Sequence, residues 1–179
     1  MNVLIVGQGG REHAMAWKLS LSNEVDTVFV APGNGGTANE NKCINIDIAV
    51  NDFLALEKLV TEKEINLIVI GPEDPLVNGI KDHFQNKNVK VFGPDKAGAK
   101  LEGSKIYAKK FMFENDIPTG RAEFFSDANL AKKYINTTDF PIVLKADGLA
   151  AGKGVLVTKD PQEATQWIED VMNKQKFGD

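Results

Sequence analysis

Apolar residues along this chain fall in short runs separated by amphipathic stretches. Asn2–Val6, Thr27–Ala31, Cys43–Ile48, Leu67–Ile70 and Lys90–Phe92 read as strands, and Arg11–Ser22 as a helix. Asn51 and Asp52 are placed to cap a helix through Lys63 that puts Phe53, Leu56, Leu59 and Val60 on one face. Another helix is predicted over Asn78–Gln85. Leu67–Ile70 is apolar on both faces, which suits a buried parallel position. Strand–helix alternation of this kind predicts right-handed crossovers and an α/β fold with a parallel sheet covered on both sides.

Past Gly93-Pro94 the alternation stops. A short helix over Lys96–Leu101, a break at Gly103 and a helix from a Ser104 cap through Asn115 are predicted next. Ile117-Pro118 ends that helix, because a residue before proline avoids the helical region. Arg121–Phe125 reads as a strand, and Ser126 as the cap of the helix after it. Asp160-Pro161-Gln162-Glu163 supplies a helix cap, an N1 proline and an N3 glutamate in order, with Trp167, Ile168, Val171 and Met172 inward. The expected organisation is a parallel α/β domain over residues 1–100, a helical linker over 101–120 and a second unit over 121–179.

Candidate chemistry collects at strand ends. The first strand runs into GQGGREHA, the second into APGNGGTA, and the strand ending at Ile70 into GPEDPLVNG. Late in the chain, FPIVLKADGLAAGKGVLV reads as a hairpin whose tip has almost no side-chain bulk and carries Lys145 and Lys153 at its borders. Nine of the 16 glycines are Gly7, Gly9, Gly10, Gly33, Gly35, Gly36, Gly148, Gly152 and Gly154. Bare N–H groups in such loops approach anions closely, so the hairpin suggests a lid over a polyphosphate; a plain glycine-rich hairpin with solvated lysines is the alternative. It is not a P-loop, since Val155 stands where Ser or Thr is needed and a strand follows.

A dinucleotide site competes for the first loop. Gly7 and Gly9 begin the GxGxxG pattern, but Glu12 replaces its third glycine, and Ala31-Pro32-Gly33 stands where an acid should hold the ribose. A phosphate on a hydroxyl-bearing sugar fits better. Gly9 and Gly10 offer N–H groups at a helix start, and Glu73 and Asp74 accept from hydroxyls.

Charge and composition narrow the classes. With 21 basic against 25 acidic residues the net charge is −4, and no basic surplus argues for nucleic acid. The single cysteine, Cys43, excludes an internal disulfide framework and reads as a structural thiol, while His13 and His83 are too isolated for a metal site. No apolar run reaches the roughly 18 residues that span a bilayer. The start MNVLIVG lacks the features of a signal peptide, so the expected compartment is the cytoplasm, with no membrane partner.

The strand–loop–strand grip resembles the ATP-grasp superfamily. GQGGREHA, APGNGGTA, GPEDPL, FGPDKAGAKLEGSK, the IPTG turn and VLKADGLAAGKGV together resemble the glycinamide ribonucleotide synthetases, the phosphoribosylamine–glycine ligases of purine biosynthesis. That resemblance implies a pre-ATP-grasp domain, then the linker and first subdomain of an incomplete ATP-grasp domain. It implies an ATP-dependent ligase that joins glycine to 5-phosphoribosylamine through a glycyl phosphate, with magnesium or manganese. Carried over by motif, Gly9, Gly10, Arg11, Glu12, Gly33, Asn34, Glu73 and Asp74 line the sugar-phosphate side. Lys105 and Lys145 contact ATP phosphates, and Gly152, Lys153 and Gly154 close over the nucleotide. The family's metal ligands and the rest of its clamp lie downstream of the lid. The chain is therefore expected to be an N-terminal portion, inactive alone and dependent on the missing C-terminal part. Gly120 stands where the family usually has alanine. The competing classes are a non-catalytic nucleotide or sugar-phosphate binding module and a Rossmann-type dinucleotide-binding protein.

Overall fold

Strand β1 (Asn2–Gly7) is buried along nearly its whole length and alternates its side chains between two separate cores. Leu4 and Val6 face one side of the sheet, Val3 and Ile5 the other. Such a strand is stable only at the centre of a sheet covered twice, and that is where it sits. The computed structural model describes residues 1–150 and 153–174, and the chain divides into two units, Met1–Gly103 and Ser104–Asp179.

In the first unit β1 is followed by α1 (Gly10–Ser20), β2 (Thr27–Pro32), β3 (Cys43–Asn45), α2 (Phe53–Glu62), β4 (Ile65–Ile70), α3 (Glu73–Val77), α4 (Ile80–His83), β5 (Lys90–Phe92) and α5 (Lys96–Gly103). All strand pairs are parallel, in the order β3-β2-β1-β4-β5. Val3, Ile5, Val28 and Val30 pack with Ala16 of α1 on one face. Leu4, Phe29, Ile68 and Ile70 pack with Leu56 and Leu59 of α2 and with Ile80 and Phe84 on the other. Asp52 caps α2 as expected, its Oδ1 accepting the Ala55 N–H at 3.1 Å. Glu57 of α2 holds His83 Nε2 at 2.8 Å and also pairs with Lys87.

Two expected elements take a different form. The helix foreseen over Asn78–Gln85 is the shorter α4, which starts only after Gly79, whose φ of +90° no helical turn accepts; α3 precedes it, outside the range foreseen. The strand foreseen to Ile48 ends at Asn45, whose side chain turns to the loop after β2 and donates to Asn34 O at 2.8 Å.

The second unit holds α6 (Lys105–Glu114), α7 (Ala128–Ile135), the antiparallel pair β6 (Ile142–Lys145) and β7 (Val155–Thr158), and α8 (Pro161–Ile168), which continues into a π-helical turn over Glu169–Asn173. Ala128, Ala131 and Ile135 of α7 and Ala164 and Ile168 of α8 form its core, against which Ile142 and Leu144 of β6 pack. The strand expected over Arg121–Phe125 is absent: no described strand pairs with it. Phe125 is instead drawn into this core, 5.2 Å from the Tyr134 ring. Asp127, rather than Ser126, caps α7 through the Leu130 N–H. The N3 glutamate of α8 also departs from the pattern: Glu163 accepts from the Thr158 hydroxyl, and the Asp160 N–H goes to Thr158 Oγ1 at 2.9 Å.

Candidate functional site

The strand order places a reversal between β1 and β4, and in open parallel sheets ligands sit beyond the carboxyl ends of the strands at such a reversal. Three loops converge there. The first runs from β1 into α1, and Glu12 is its buried anchor at 5% exposure. Its Oε2 accepts the Gly9 N–H at 2.6 Å, half of a capping box across the first turn of α1. This corrects one expectation: the Gly9 N–H is directed to Glu12 and not offered to a phosphate. Gly10 is different, because the space where its side chain would be is open.

Asn34 organises the second loop. Its Oδ1 accepts from the Gly36 N–H (2.7 Å) and the Thr37 N–H (3.0 Å), while its Nδ2 donates to Gln8 O at 2.8 Å, joining the loops after β1 and β2. Gly33 has φ +74° and abuts the Asn45 side chain, so a larger residue there is both strained and crowded. Fully buried Thr37 donates to Asn45 Oδ1 at 2.7 Å. His13 Nε2 lies 2.8 Å from Glu40 Oε1, and its ring packs on Gly36.

The third loop follows β4. Arg11 and Glu73 face one cleft of about 410 Å³ together with Gly71, Leu76, Pro94 and Glu102. Asp74 is engaged elsewhere, its carboxylate accepting from the side-chain amides of Asn51 and Asn78. Those two amides take part of the hydrogen-bonding capacity of the exposed Asp74 carboxylate.

In the second unit, Val143, Lys145, Val155 and Val157 share the outward face of the β6–β7 hairpin, as cross-strand partners do. The valines are 52%, 43% and 67% exposed, and Lys145 ends β6 exposed beside them. Lys105, at the start of α6, donates to Gly148 O at 2.7 Å. Lys153 is exposed, with its backbone N–H on Ala150 O at 2.8 Å; Gly154 O accepts the Ala146 N–H at 2.8 Å. Gly152 lies outside the described residues. Lys109 fastens the IPTG turn through Thr119 Oγ1 (2.6 Å) and Gly120 O (2.7 Å), and a methyl group at Gly120 would meet nothing nearer than Lys109 Nζ at 4.0 Å. Among the described residues no group of three or more His, Cys, Asp or Glu side chains is placed to hold a metal ion.

Sequence reading missed Asp147. Its carboxylate accepts from Ser104 Oγ at 2.9 Å and the Ile106 N–H at 3.1 Å, tying the glycine loop to the first turn of α6. Partial burial pushes its pKa up, but the hydrogen bonds from Ile106 N, Ser104 Oγ and the Gly148 and Lys105 backbone outweigh that and hold it below the usual value. A folded-state pKa below the unfolded one gives stability that is present above about pH 4 and disappears as pH falls through the folded value. The stability difference between the unsubstituted chain and Asp147→Asn is therefore expected to be largest near neutrality and to shrink below about pH 4, as read from thermal melts across pH. A constant difference down to pH 2 would contradict it. The only signal in the sequence was the Asp-Gly pair at the end of β6.

The phosphoribosylglycinamide synthetase N-domain model matches residues 1–102. The ATP-grasp (A) domain model of the same synthetase matches residues 103–179. The chain is 49% identical to phosphoribosylamine–glycine ligase of Haemophilus influenzae, over all of this chain and 42% of that protein. It thus spans less than half the length of that relative. It also superposes on the crystal structure of phosphoribosylamine–glycine ligase from Thermotoga maritima with TM-score 0.69 at 36% identity, covering 93% of this chain and 38% of that one. The biotin carboxylase domain of Hydrogenobacter thermophilus 2-oxoglutarate carboxylase is similar in fold alone, with TM-score 0.75 at 18% identity over 98% of this chain and 42% of that one. No described helix is long and apolar enough to cross a membrane. Because the N-domain match alone takes in more than half of the residues and the second continues to the last, the chain belongs to the phosphoribosylglycinamide synthetase family.

Proposed function

We propose that these residues form the sugar-phosphate side and part of the nucleotide side of an ATP-dependent ligase that joins glycine to 5-phosphoribosylamine through a glycyl phosphate, in cytoplasmic purine biosynthesis. The observation that carries this reading is the cleft where Arg11 and Glu73 meet at the carboxyl edge of the sheet, in a chain matched throughout by one synthetase family. A guanidinium and a carboxylate in one cleft suit a phosphate and the hydroxyls of a ribose respectively. Gly10, Gly33 and Asn34 complete the rim, while Gly9, Glu12 and Asp74 shape the loops that present it.

Lys145, with Lys105 and Lys153 and the glycines Gly152 and Gly154 around the loop, neutralises the polyphosphate. Phosphoryl transfer is mostly positioning and charge stabilisation, which a fixed lysine and loop N–H groups supply. The valines beside Lys145 offer an apolar surface for a base. Lys105 leaves Gly148 O to reach a phosphate oxygen. In this reading magnesium or manganese belongs to the part of the relatives' length that this chain does not span, and no step is derived through it here.

Hydrogen–deuterium exchange of the 179-residue chain with ribose 5-phosphate tests the sugar side. Slowed exchange in Gly7–Arg11, Gly33–Thr37 and Gly71–Asp74 is expected. Slowing confined to the β6–β7 hairpin, or micromolar binding of NAD by calorimetry, would overturn the assignment.

A further inference from the structure

We propose that Asp147 is a positioning residue for the polyphosphate: its carboxylate joins the glycine loop to the first turn of α6 and thereby sets the spacing of Lys105 and Lys145, which stand on separate elements. The inference rests on the reading of those two lysines as phosphate partners. Lys105 begins α6 and Lys145 ends β6. α6 buries none of its residues, and none of its side chains belongs to the apolar core around α7 and α8. Apolar packing therefore does little to fix α6 against the hairpin, and polar contacts must do so.

Asp147 supplies them. It follows Lys145 by two residues, and its carboxylate accepts from Ser104 Oγ at 2.9 Å and from the Ile106 N–H at 3.1 Å. Those two donors flank Lys105 in the sequence. Ser104 is also the cap of α6, its Oγ accepting the Tyr107 N–H at 3.1 Å. The carboxylate thus takes up an N–H group that a helix start leaves without an internal partner. A second bond runs the opposite way, from Lys105 Nζ to Gly148 O at 2.7 Å, one residue past Asp147. Neither lysine forms an ion pair with Asp147 or with any other described residue. The Asp147 charge is engaged by a hydroxyl and backbone donors, and both ammonium groups keep theirs for an anion.

Two roles for Asp147 predict opposite signs. As an anion competing for the helix start it would hinder phosphate, and neutralising it would tighten binding. As a brace it holds two lysines to one ligand, and its loss weakens binding although a negative charge is removed. The geometry favours the brace, because an entering phosphate would only exchange one set of hydrogen bonds at Ser104 and Ile106 for another.

Amide NMR of the 179-residue chain titrated with inorganic tripolyphosphate tests this. The Leu149 amide shares its peptide group with Gly148 O, so it is expected to move as Lys105 turns to the anion, while the Ile106 amide stays on Asp147 and holds its position. Asp147→Ala is expected to weaken tripolyphosphate binding about tenfold. Asp147→Asn, which keeps an acceptor for the Ile106 N–H, weakens it less. In a Lys105→Met background Asp147→Ala causes no further loss, since Lys145 then has no partner to be spaced from; a merely structural role would cost the same in both backgrounds. Tighter binding by Asp147→Asn, an undiminished loss in the Lys105→Met background, or displacement of the Ile106 amide in the unsubstituted chain would overturn the inference, the last without any variant having to fold. Each of these outcomes leaves Lys105 as a phosphate partner. An unmoved Leu149 amide, or no binding at all, would remove the phosphate reading itself and the inference with it.

Discussion

Gly71→Ala is expected to destabilise the first unit by about 2–3 kcal/mol, a large loss for one methyl group at a loop position. The backbone at Gly71 cannot yield, because its N–H is held by Val6 O at 3.0 Å as β4 leaves the sheet. The new Cβ would stand 2.5 Å from Glu12 Cδ, so the side chain must move. An exposed glutamate would do so at little cost. Glu12 is enclosed by Gly7, Gly9 and Gly71 and bonded to the Gly9 N–H, and displacing it breaks a charge-assisted hydrogen bond of roughly 1.5–3 kcal/mol. Chemical denaturation of Gly71→Ala, Glu12→Ala and the double variant checks the cause. The double variant is expected to be more stable than the sum of the single losses predicts, since Glu12→Ala empties the space that the methyl group needs. Strict additivity would contradict the assignment of Glu12 as the occupant.

The second large effect concerns the two lysines bordering the glycine loop. Lys145 closes β6 in register with Val155, so its ammonium is carried by a paired strand. Lys153 stands in the loop outside that ladder. A charge fixed against phosphate loses less freedom on binding and is desolvated more fully, and removing a charged hydrogen-bond partner costs about 1.5–3 kcal/mol, roughly ten- to a hundredfold. In an active enzyme carrying this sequence, Lys145→Met is expected to reduce kcat/KM for ATP by that factor, and Lys153→Met by clearly less. Near-normal ATP kinetics for both variants would make the hairpin a plain glycine-rich turn.

Much of the fold was legible because it follows from local pattern. The apolar runs that became β1, β2 and β4 are long enough or apolar enough on both faces to leave no other buried position. Ser104 and Asp52 were readable as caps because an N-cap needs only its own side chain and the next turn. What failed depended on partners outside the segment itself. Arg121–Phe125 alternates like a strand, yet a strand exists only where a neighbour takes its N–H and C=O groups, and Phe125 found the α7–α8 core instead. Glu163 was expected to close a capping box on Asp160, but the Thr158 hydroxyl reached both groups first.

The site shows the same division. Glycine loops at strand ends mark where a ligand surface can lie, and the cleft with Arg11 and Glu73 is at those ends. Which polar groups remain available there was not legible. Gly9 looks like a phosphate donor and Asp74 like a hydroxyl acceptor in the sequence, but in the fold Glu12 takes the Gly9 N–H and the amides of Asn51 and Asn78 bond Asp74. Asp147 was overlooked for the converse reason, because its partners Ser104 and Ile106 lie some forty positions earlier in the chain.

The central claim is that this chain supplies a working sugar-phosphate side and half of a nucleotide clamp to a glycine ligase. The most direct test joins residues 1–179 to the remaining C-terminal portion of the Haemophilus influenzae ligase, which is 49% identical over the replaced part. ADP release is then measured with ATP, magnesium, glycine and freshly generated phosphoribosylamine. The account predicts turnover that requires both glycine and the amine, abolished when either is omitted, and none from the 179-residue chain alone. A folded chimaera that releases ADP without regard to glycine or the amine, or not at all, would contradict it.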